Sequence, residues 1–176
     1  MKNSANRFTQ NSSLNYALNI LSRRNITASK LRKKMAEKGF PEEEIIGTIN
    51  KLVEWKYLDD YSYAVAYVKA KSQKCSRNKI LGELMNHGVA KELIIDVLES
   101  FYSEEKEFAN CLDLATKIWN NEGVRWNEKF QKKFKNKCVS RKIFFEKKLA
   151  DKLLTKGFPP NIIKSVLSIV LVEEDY

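Results

Sequence analysis

Few side chains in this sequence could carry out chemistry, and none has the neighbours that catalysis needs. The single histidine, His87, stands just before a glycine. There it could favour a helix dipole, lie exposed at the surface, or act as a general base. No nucleophile or orienting carboxylate stands beside it. Asp59 and Asp60 fit either an acid or metal pair or a helix N-cap followed by a first-turn acid, and we prefer the cap.

Glycine and cysteine give no further sign of an active site. The six glycines do not cluster, so no phosphate-binding loop is present. Cys75, Cys111 and Cys138 are far apart, odd in number and without metal-ligand spacing, which indicates reduced thiols. We expect Cys111 to pack in a core. The sequence therefore favours a protein that is not an enzyme and that needs no cofactor and no metal.

The charge balance points to an anionic partner. The chain has a net charge of +10 and a pI near 9.4, which suits nucleic acid, an acidic protein surface or a membrane face. No apolar run approaches the roughly 18 residues that a transmembrane helix needs. The N-terminus has no apolar signal core. We expect a cytoplasmic monomer that does not enter a membrane.

The most basic stretch runs from residue 129 to residue 142, and no acid stands between Glu128 and Glu146. It could be a solvated helix face or mobile loop, or it could contact a polyanion. An earlier basic run covers residues 32–34. The residues that we predict to contact a filament or nucleic acid are Arg32, Lys33, Lys34, Lys132, Lys133, Lys135, Lys137, Arg141 and Lys142.

The elements that must position these side chains are indicated by a repeat around Gly39, Gly88 and Gly157. Four residues before each glycine stand Met35, Leu84 and Leu153, and six residues after it stand Ile45, Ile94 and Ile163. This spacing predicts a helix, a left-handed glycine C-cap and a second helix. The Gly-Phe-Pro residues alone would indicate only an ordinary turn, so the information lies in the repetition. These recurring apolar positions form one apolar frame around each glycine. A further apolar helical segment precedes each frame, so every unit contains three helices.

The chain divides accordingly into a flexible segment 1–12, three-helix repeats at 13–56, 57–102 and 103–172, and an acidic tail 173–176. Residues that could begin helices are Ser13, Thr27, Asp59, Ser76, Ser103 and Ser140. No stretch alternates as a strand would. The fold class is therefore all-α: three tandem three-helix repeats in an elongated, curved array.

The third repeat is longer than the others, and its basic insertion falls near residues 120–142. Asn120, Asn121 and Gly123 predict a break in the helix. Phe130 and Phe134, four residues apart, predict a short extra helix that starts near Asn127.

Most of the chain resembles the RecX family of bacterial recombinase regulators. The resemblance is carried by residues 17–24, 31–35 and 38–46, by 52–64, by 80–84 with Gly88 and Val89, and by 153–158. It is most specific at Tyr57-Leu58-Asp59-Asp60. Lys56 departs from the family pattern, which commonly has glycine there, and the basic insertion departs as well.

The resemblance implies three tandem three-helix repeats and a role in regulating RecA, the recombinase of homologous recombination, DNA repair and the SOS response. It implies binding along the RecA–DNA filament, most simply with inhibition of ATP hydrolysis and strand exchange, and contact with single- or double-stranded DNA. It implies no catalytic residues. The alternative is a helix-turn-helix-like protein that acts directly on nucleic acid.

Overall fold

In the computed structural model, residues 3–134 and 140–171 are described, and side chains are described from residue 12 onward. These residues form helices and no strand, which confirms the all-α class. The helices are α1 Asn3–Leu21, α2 Ala28–Glu37, α3 Glu42–Glu54, α4 Asp60–Lys71, α5 Arg77–Asn86, α6 Lys91–Phe101, α7 Glu104–Phe134, α8 Arg141–Thr155 and α9 Pro160–Val170. They form three successive groups of three, as the repeat predicts.

The three glycines end the second helix of each group in the predicted way. Their φ angles are +91°, +81° and +84° for Gly39, Gly88 and Gly157, which confirms the left-handed C-caps. The amide that follows each glycine donates to a carbonyl five residues earlier, for example from Phe40 to Met35 at 3.2 Å. This geometry turns the chain back so that the third helix can pack on the second.

The apolar frame forms the cores. Leu31, Ile80 and Leu149 are wholly buried, and so are the three residues four positions before the glycines. Helix α1 and the first frame share one core with Ile26 and Leu58. Cys111 lies wholly buried in another core with Leu149 and Val166, as expected for a packed thiol. Cys138 lies outside the described residues.

Five of the six predicted N-caps stand directly before a helix. The Oγ1 atom of Thr27 accepts a hydrogen bond from the amide of Lys30 at 3.2 Å, and the Oγ atom of Ser76 accepts one from Lys79 at 3.1 Å. Asp59, Ser103 and Ser140 also accept from amides of the first helical turn.

The prediction for Ser13 was wrong. Helix α1 begins at Asn3, inside the segment that we expected to be flexible, so Ser13 lies within the helix. Its side chain is buried, and its Oγ lies 3.0 Å from the Oγ1 of Thr48 on α3. Ser13 therefore joins two helices by a buried hydrogen bond.

The predicted break in the third repeat is also wrong. Asn120, Asn121 and Gly123 lie inside α7, which continues to Phe134 and includes Phe130. No separate helix begins near Asn127. The rings of Trp119 and Trp126 lie 6.2 Å apart on either side of Gly123, and Trp119 also packs against Phe145. This packing holds the helix together through residues of low helix propensity.

The described chain packs as two compact units. One contains residues 1–67 and 83–97, and the other contains residues 68–82 and 98–176. Their boundaries fall within α4, α5 and α6, so the second repeat contributes to both units.

Each unit contains one joint between successive repeats. In the first unit, the Thr27 hydroxyl donates to the His87 carbonyl at 2.5 Å, and Asp60 accepts from the Ala28 amide at 3.0 Å. In the second unit, the Ser76 amide donates to the Lys156 carbonyl at 3.0 Å, and Glu107 accepts from the Arg77 amide at 2.8 Å. Both joints pair the start of one repeat's second helix with the C-cap turn and first helix of the next repeat.

Candidate functional site

The basic segment of the third repeat occupies the end of α7 and the start of α8. Lys132 and Lys133 lie in the last turn of α7, and Arg141 and Lys142 open α8; all four are exposed. Lys135 and Lys137, which belong to the same prediction, lie outside the described residues. The four described cations belong to one compact unit.

A cluster of aromatic rings lies beneath these cations. The Phe130 ring centroid lies 5.2 Å from that of Phe134 and 5.4 Å from that of Phe144, and Phe145 lies beside Phe144 at 5.8 Å. Spacings of this size are typical of packed aromatic pairs. The rings connect the end of α7 to the start of α8 and so fix where the basic side chains emerge.

Several of the cations lie over the faces of these rings. The Nζ atom of Lys133 lies 5.4 Å from the Phe134 ring centroid, and the guanidinium of Arg141 lies 5.2 Å from that of Phe145. Lys148 lies over Phe144 at 5.8 Å. Such cation–π contacts orient the side chains and bring no opposite charge to them.

One acid of α7, Glu122, is paired with α8. Glu122 binds Lys152 and also accepts a hydrogen bond from Nε1 of Trp126 at 3.1 Å. The hydrogen bond from Lys152, with the charge of that lysine and the bond from Trp126, lowers the pKa of Glu122 below its usual value. Glu122 therefore stays ionised and holds α8 against α7.

The second predicted basic group lies on α2, in the other compact unit. Arg32 pairs with Glu42 at the surface, so part of its charge is compensated within the fold. Lys33 is exposed, and Lys34 is half-buried. Of these three, Lys33 presents the most accessible charge to a partner.

His87 lies half-buried, which is not the exposed position that the sequence also allowed. Its Nδ1 lies 2.9 Å from the hydroxyl of Tyr63, and the Tyr67 ring meets its edge at 5.2 Å. The Tyr67 hydroxyl donates to Glu83 at 2.5 Å. Burial, with Asp60 nearby, raises the pKa of Tyr63. These contacts pack the His87 side chain against α4, while its backbone carbonyl takes part in the first joint.

Asp59 and Asp60 act as helix caps. Asp59 Oδ1 accepts from the amides of Tyr61 at 2.9 Å and Ser62 at 3.2 Å, and Asp60 accepts from Ala28. Among the residues that the structure describes, no group of three or more metal-ligating side chains comes together. Within the same part of the chain, no helix is both long and apolar enough to cross a bilayer.

The sequence analysis missed a group of exposed aromatic residues at the turn between α3 and α4. Trp55, Tyr57 and Tyr61 are 50%, 61% and 46% exposed. The signal was present in the sequence, because these residues fall at positions that the apolar frame of the first repeat does not use.

Comparison with known proteins identifies two of the repeats. Residues 14–52 match the family model described as "RecX, first three-helix domain", and residues 59–98 match "RecX, second three-helix domain". Several curated relatives carry the name "Regulatory protein RecX". The one from Caldanaerobacter subterraneus is 40% identical over 61% of this chain and 55% of its own length. The one from Clostridium botulinum strain Eklund 17B is 34% identical over 91% of this chain and 69% of its own length.

The chain is shorter than several of these relatives: it spans 55%, 64% and 66% of the length of three of them. Among solved structures, that of RecX from Lactobacillus salivarius superposes with a TM-score of 0.75 at 23% identity, covering 94% of this chain and 99% of the other. A second structure, titled as regulatory protein RecX, gives the same TM-score at 24% identity over 93% of this chain. At these identities the structures establish the fold alone.

Proposed function

The chain belongs to the RecX family, and from this premise we propose that it binds the RecA–DNA filament and restrains RecA-dependent ATP hydrolysis and strand exchange without catalysing a reaction. The observation that carries the proposal is the exposed basic surface over the aromatic cluster at α7 and α8. A filament of protein and DNA offers both acidic side chains and phosphates as partners for such a surface.

The repeats support a contact that spreads over several subunits. Each joint fixes one repeat against the next by two hydrogen bonds, one to a carbonyl of the C-cap turn and one to an acid of the first helix of the next repeat. Linked weak contacts add through effective concentration when the geometry lets them engage together. A polymer with regularly spaced subunits is a partner that a repeat protein can meet in this way.

The experiment compares wild type with a variant in which the basic segment is neutralised. The variant changes to glutamine Lys132, Lys133, Lys135, Lys137, Arg141 and Lys142. Circular dichroism serves as the folding control. We expect weaker inhibition of RecA ATPase and strand exchange, mostly at low salt, because exposed charges are screened over about 8–10 Å at physiological ionic strength.

A matched control removes six exposed lysines elsewhere and so lowers the net charge by the same amount. Its changes, also to glutamine, are at Lys38, Lys69, Lys74, Lys91, Lys106 and Lys164. We expect it to inhibit nearly as well as wild type. Full inhibition by the folded basic-segment variant across a salt titration would show that the segment does not contribute to inhibition of RecA. If wild type has no effect on RecA but binds bare duplex DNA tightly, that result would favour the alternative function, direct binding to nucleic acid.

A further inference from the structure

The turn between α3 and α4 exposes large side chains that folding would normally bury. Trp55, Tyr57 and Tyr61 are each close to half exposed or more, while Leu58 between them is 2% exposed and fills the core. The turn therefore uses Leu58 as its anchor and leaves three aromatic rings facing solvent. Exposed aromatic groups of this kind mark interaction surfaces more often than scattered aliphatic ones do.

Lys56 stands at the centre of this turn in a strained backbone conformation. Its φ is +61°, and it is the only non-glycine residue with positive φ in the part of the chain that the structure describes. The amides of Tyr57 and Leu58 both donate to the Leu52 carbonyl, at 2.9 and 3.1 Å, so Lys56 occupies the place of a C-cap glycine. An L-residue is disfavoured there. Residues held in such conformations cluster at ligand-binding and switch sites.

The two aspartates that follow Lys56 are occupied by the fold, while Glu54, which precedes Trp55, is exposed. Asp59 accepts hydrogen bonds from two amides and from the Ser62 hydroxyl at 2.7 Å, and these bonds lower its pKa, with a smaller effect from Lys56. Asp60 accepts from Ala28 on α2. Both aspartate carboxylates hold helix starts in place, and the side chain of Lys56 is exposed between the rings of Trp55 and Tyr57 in the sequence.

Two pockets in the same compact unit are lined by residues at the end of α1 and in the loop that follows it. One, of about 180 Å³, is lined by Lys56 and Tyr57 together with Leu21 and Asn25. The other, of about 450 Å³, is lined by Ile20, Arg23 and Arg24. The first pocket shows that the α1–α2 loop lies against the α3–α4 turn, because Asn25 and Ile26 line it together with Lys56 and Tyr57. Arg23 and Arg24 immediately precede Asn25 in this loop. Burial and the nearby charge of Arg24 lower the pKa of Lys30, which places a further cation beside this loop.

We propose that the α3–α4 turn and the adjoining α1–α2 loop bind single-stranded nucleic acid, with bases stacking on Trp55 and Tyr57 and phosphates meeting Arg23, Arg24 and Lys56. Aromatic rings next to cations suit a single strand, because every unpaired base offers a π-face and every linkage offers a charge. In a duplex the base faces are already stacked on one another. An acidic protein surface would use the cations and leave the rings without partners.

The test measures binding of wild type and variants to a fluorescently labelled 20-nucleotide oligothymidine by anisotropy. The variant Trp55→Leu/Tyr57→Leu should bind about tenfold more weakly or worse, since a stacked base contributes that much per ring. The conservative variant Trp55→Phe/Tyr57→Phe keeps the rings and should retain most of the affinity. Circular dichroism verifies that each variant is folded.

The charge part of the proposal is tested by the salt dependence. Arg23→Gln/Arg24→Gln and Lys56→Gly should each flatten the plot of log affinity against log salt concentration. The expected change in slope is about 0.7 for each phosphate of a single strand that the variant no longer neutralises. Lys91→Gln, at an exposed site in the same unit, is the matched control and should leave the slope unchanged.

Wild-type affinity in the folded leucine double variant would overturn the proposal, and so would equal competition by heparin, which has charge but no bases. Loss of filament binding without loss of oligonucleotide binding would assign the surface to a protein partner and also overturn it. The oligonucleotide assay contains no recombinase, and binding of the same variants to RecA filaments is measured separately. A wild type that inhibits RecA but does not bind the oligonucleotide would therefore reject this site and leave the proposed function standing.

Discussion

At the scale of single residues, the three C-cap glycines share a backbone conformation but differ in what surrounds them. A Cβ atom on Gly88 would lie 2.3 Å from the Cβ of Ser29, and one on Gly157 would lie 2.7 Å from the Cβ of Lys79. A Cβ on Gly39 would meet nothing within 4 Å. The difference follows from the joints, because Gly88 and Gly157 each pack on the preceding repeat, whereas Gly39 belongs to the first repeat.

We therefore predict unequal effects of Gly→Ala at these sites. Gly39→Ala should lower the free energy of unfolding by about 1–2 kcal/mol, the cost of a left-handed L-residue. Gly88→Ala and Gly157→Ala should cost more, because backbone or neighbours must also move. Urea unfolding of the three variants measures this. Equal losses at all three positions would show that the joints are not as close as the structure places them.

At Lys56 we predict the opposite effect, because there a change to glycine should stabilise the protein. Lys56→Gly relieves the strain at φ +61°, and it should raise the free energy of unfolding by roughly 1 kcal/mol after the extra backbone entropy of glycine is subtracted. Lys56→Ala serves as the control: it removes the charge but keeps the strain, and so should not stabilise. A destabilised glycine variant would rule out the left-handed conformation.

The Glu122–Lys152 pair predicts a pH dependence of stability. The pKa of Glu122 is lowered in the folded protein, so its contribution is present above the unfolded pKa and is lost as pH falls through the folded pKa. Glu122→Gln should lower Tm modestly at pH 7, because both side chains are partly exposed. The difference from wild type should shrink as the pH falls below the folded pKa. Glu128→Gln, at an exposed site, is the control, and a difference that persists after Glu122 is protonated would contradict the assignment.

At the scale of helices, local signals predicted most starts and stops but not every one. Thr27 and Ser76 stand where short polar side chains precede an apolar frame, and that pattern depends only on neighbours in sequence. Ser13 has the same local pattern, yet its hydroxyl binds Thr48, thirty-five residues away. Asn120 and Gly123 are weak helix formers, but Trp119 and Trp126 pack across them. Tertiary contacts overrode propensity in both cases, and no local signal reports them.

The continuity of α7 gives a prediction at Gly123. A Cβ there would lie 3.4 Å from the Trp119 ring, which is ordinary contact, and the residue is helical. Gly123→Ala should therefore stabilise the protein by up to about 1 kcal/mol through helix propensity, measured as a higher Tm. The control is Val124→Ala, which places alanine at the next, exposed position of the same helix without removing a glycine. A lower Tm for Gly123→Ala would support a break in the helix.

At the scale of the whole molecule, the sequence predicted three repeats, and the structure packs them as two compact units that divide the second repeat. The repeat period is visible because buried positions recur, but how repeats share a core depends on joints whose partners are far apart in sequence. The sequence does not show that Asp60 and Glu107 accept hydrogen bonds from the preceding repeat, because an acid in a first helical turn is common. The basic residues of the proposed binding surface are a local feature of the sequence, whereas the aromatic rings that orient them could be assigned only from their packing.

The division into units predicts which fragments fold. A fragment of residues 1–102 contains all of the first unit, whereas residues 1–56 lack Leu58 from the core and lack Asp60 and His87 from the joint. A repeat that cannot bury its own apolar face does not fold alone, so 1–102 should melt cooperatively and 1–56 should not. Asp60→Asn in the longer fragment should lower its Tm, because the amide side chain is a weaker acceptor for the Ala28 amide than the carboxylate. A cooperative melt of 1–56 at the Tm of 1–102 would mean that the first repeat is stable without the joint, and the second repeat would then be an addition to it instead of part of its core.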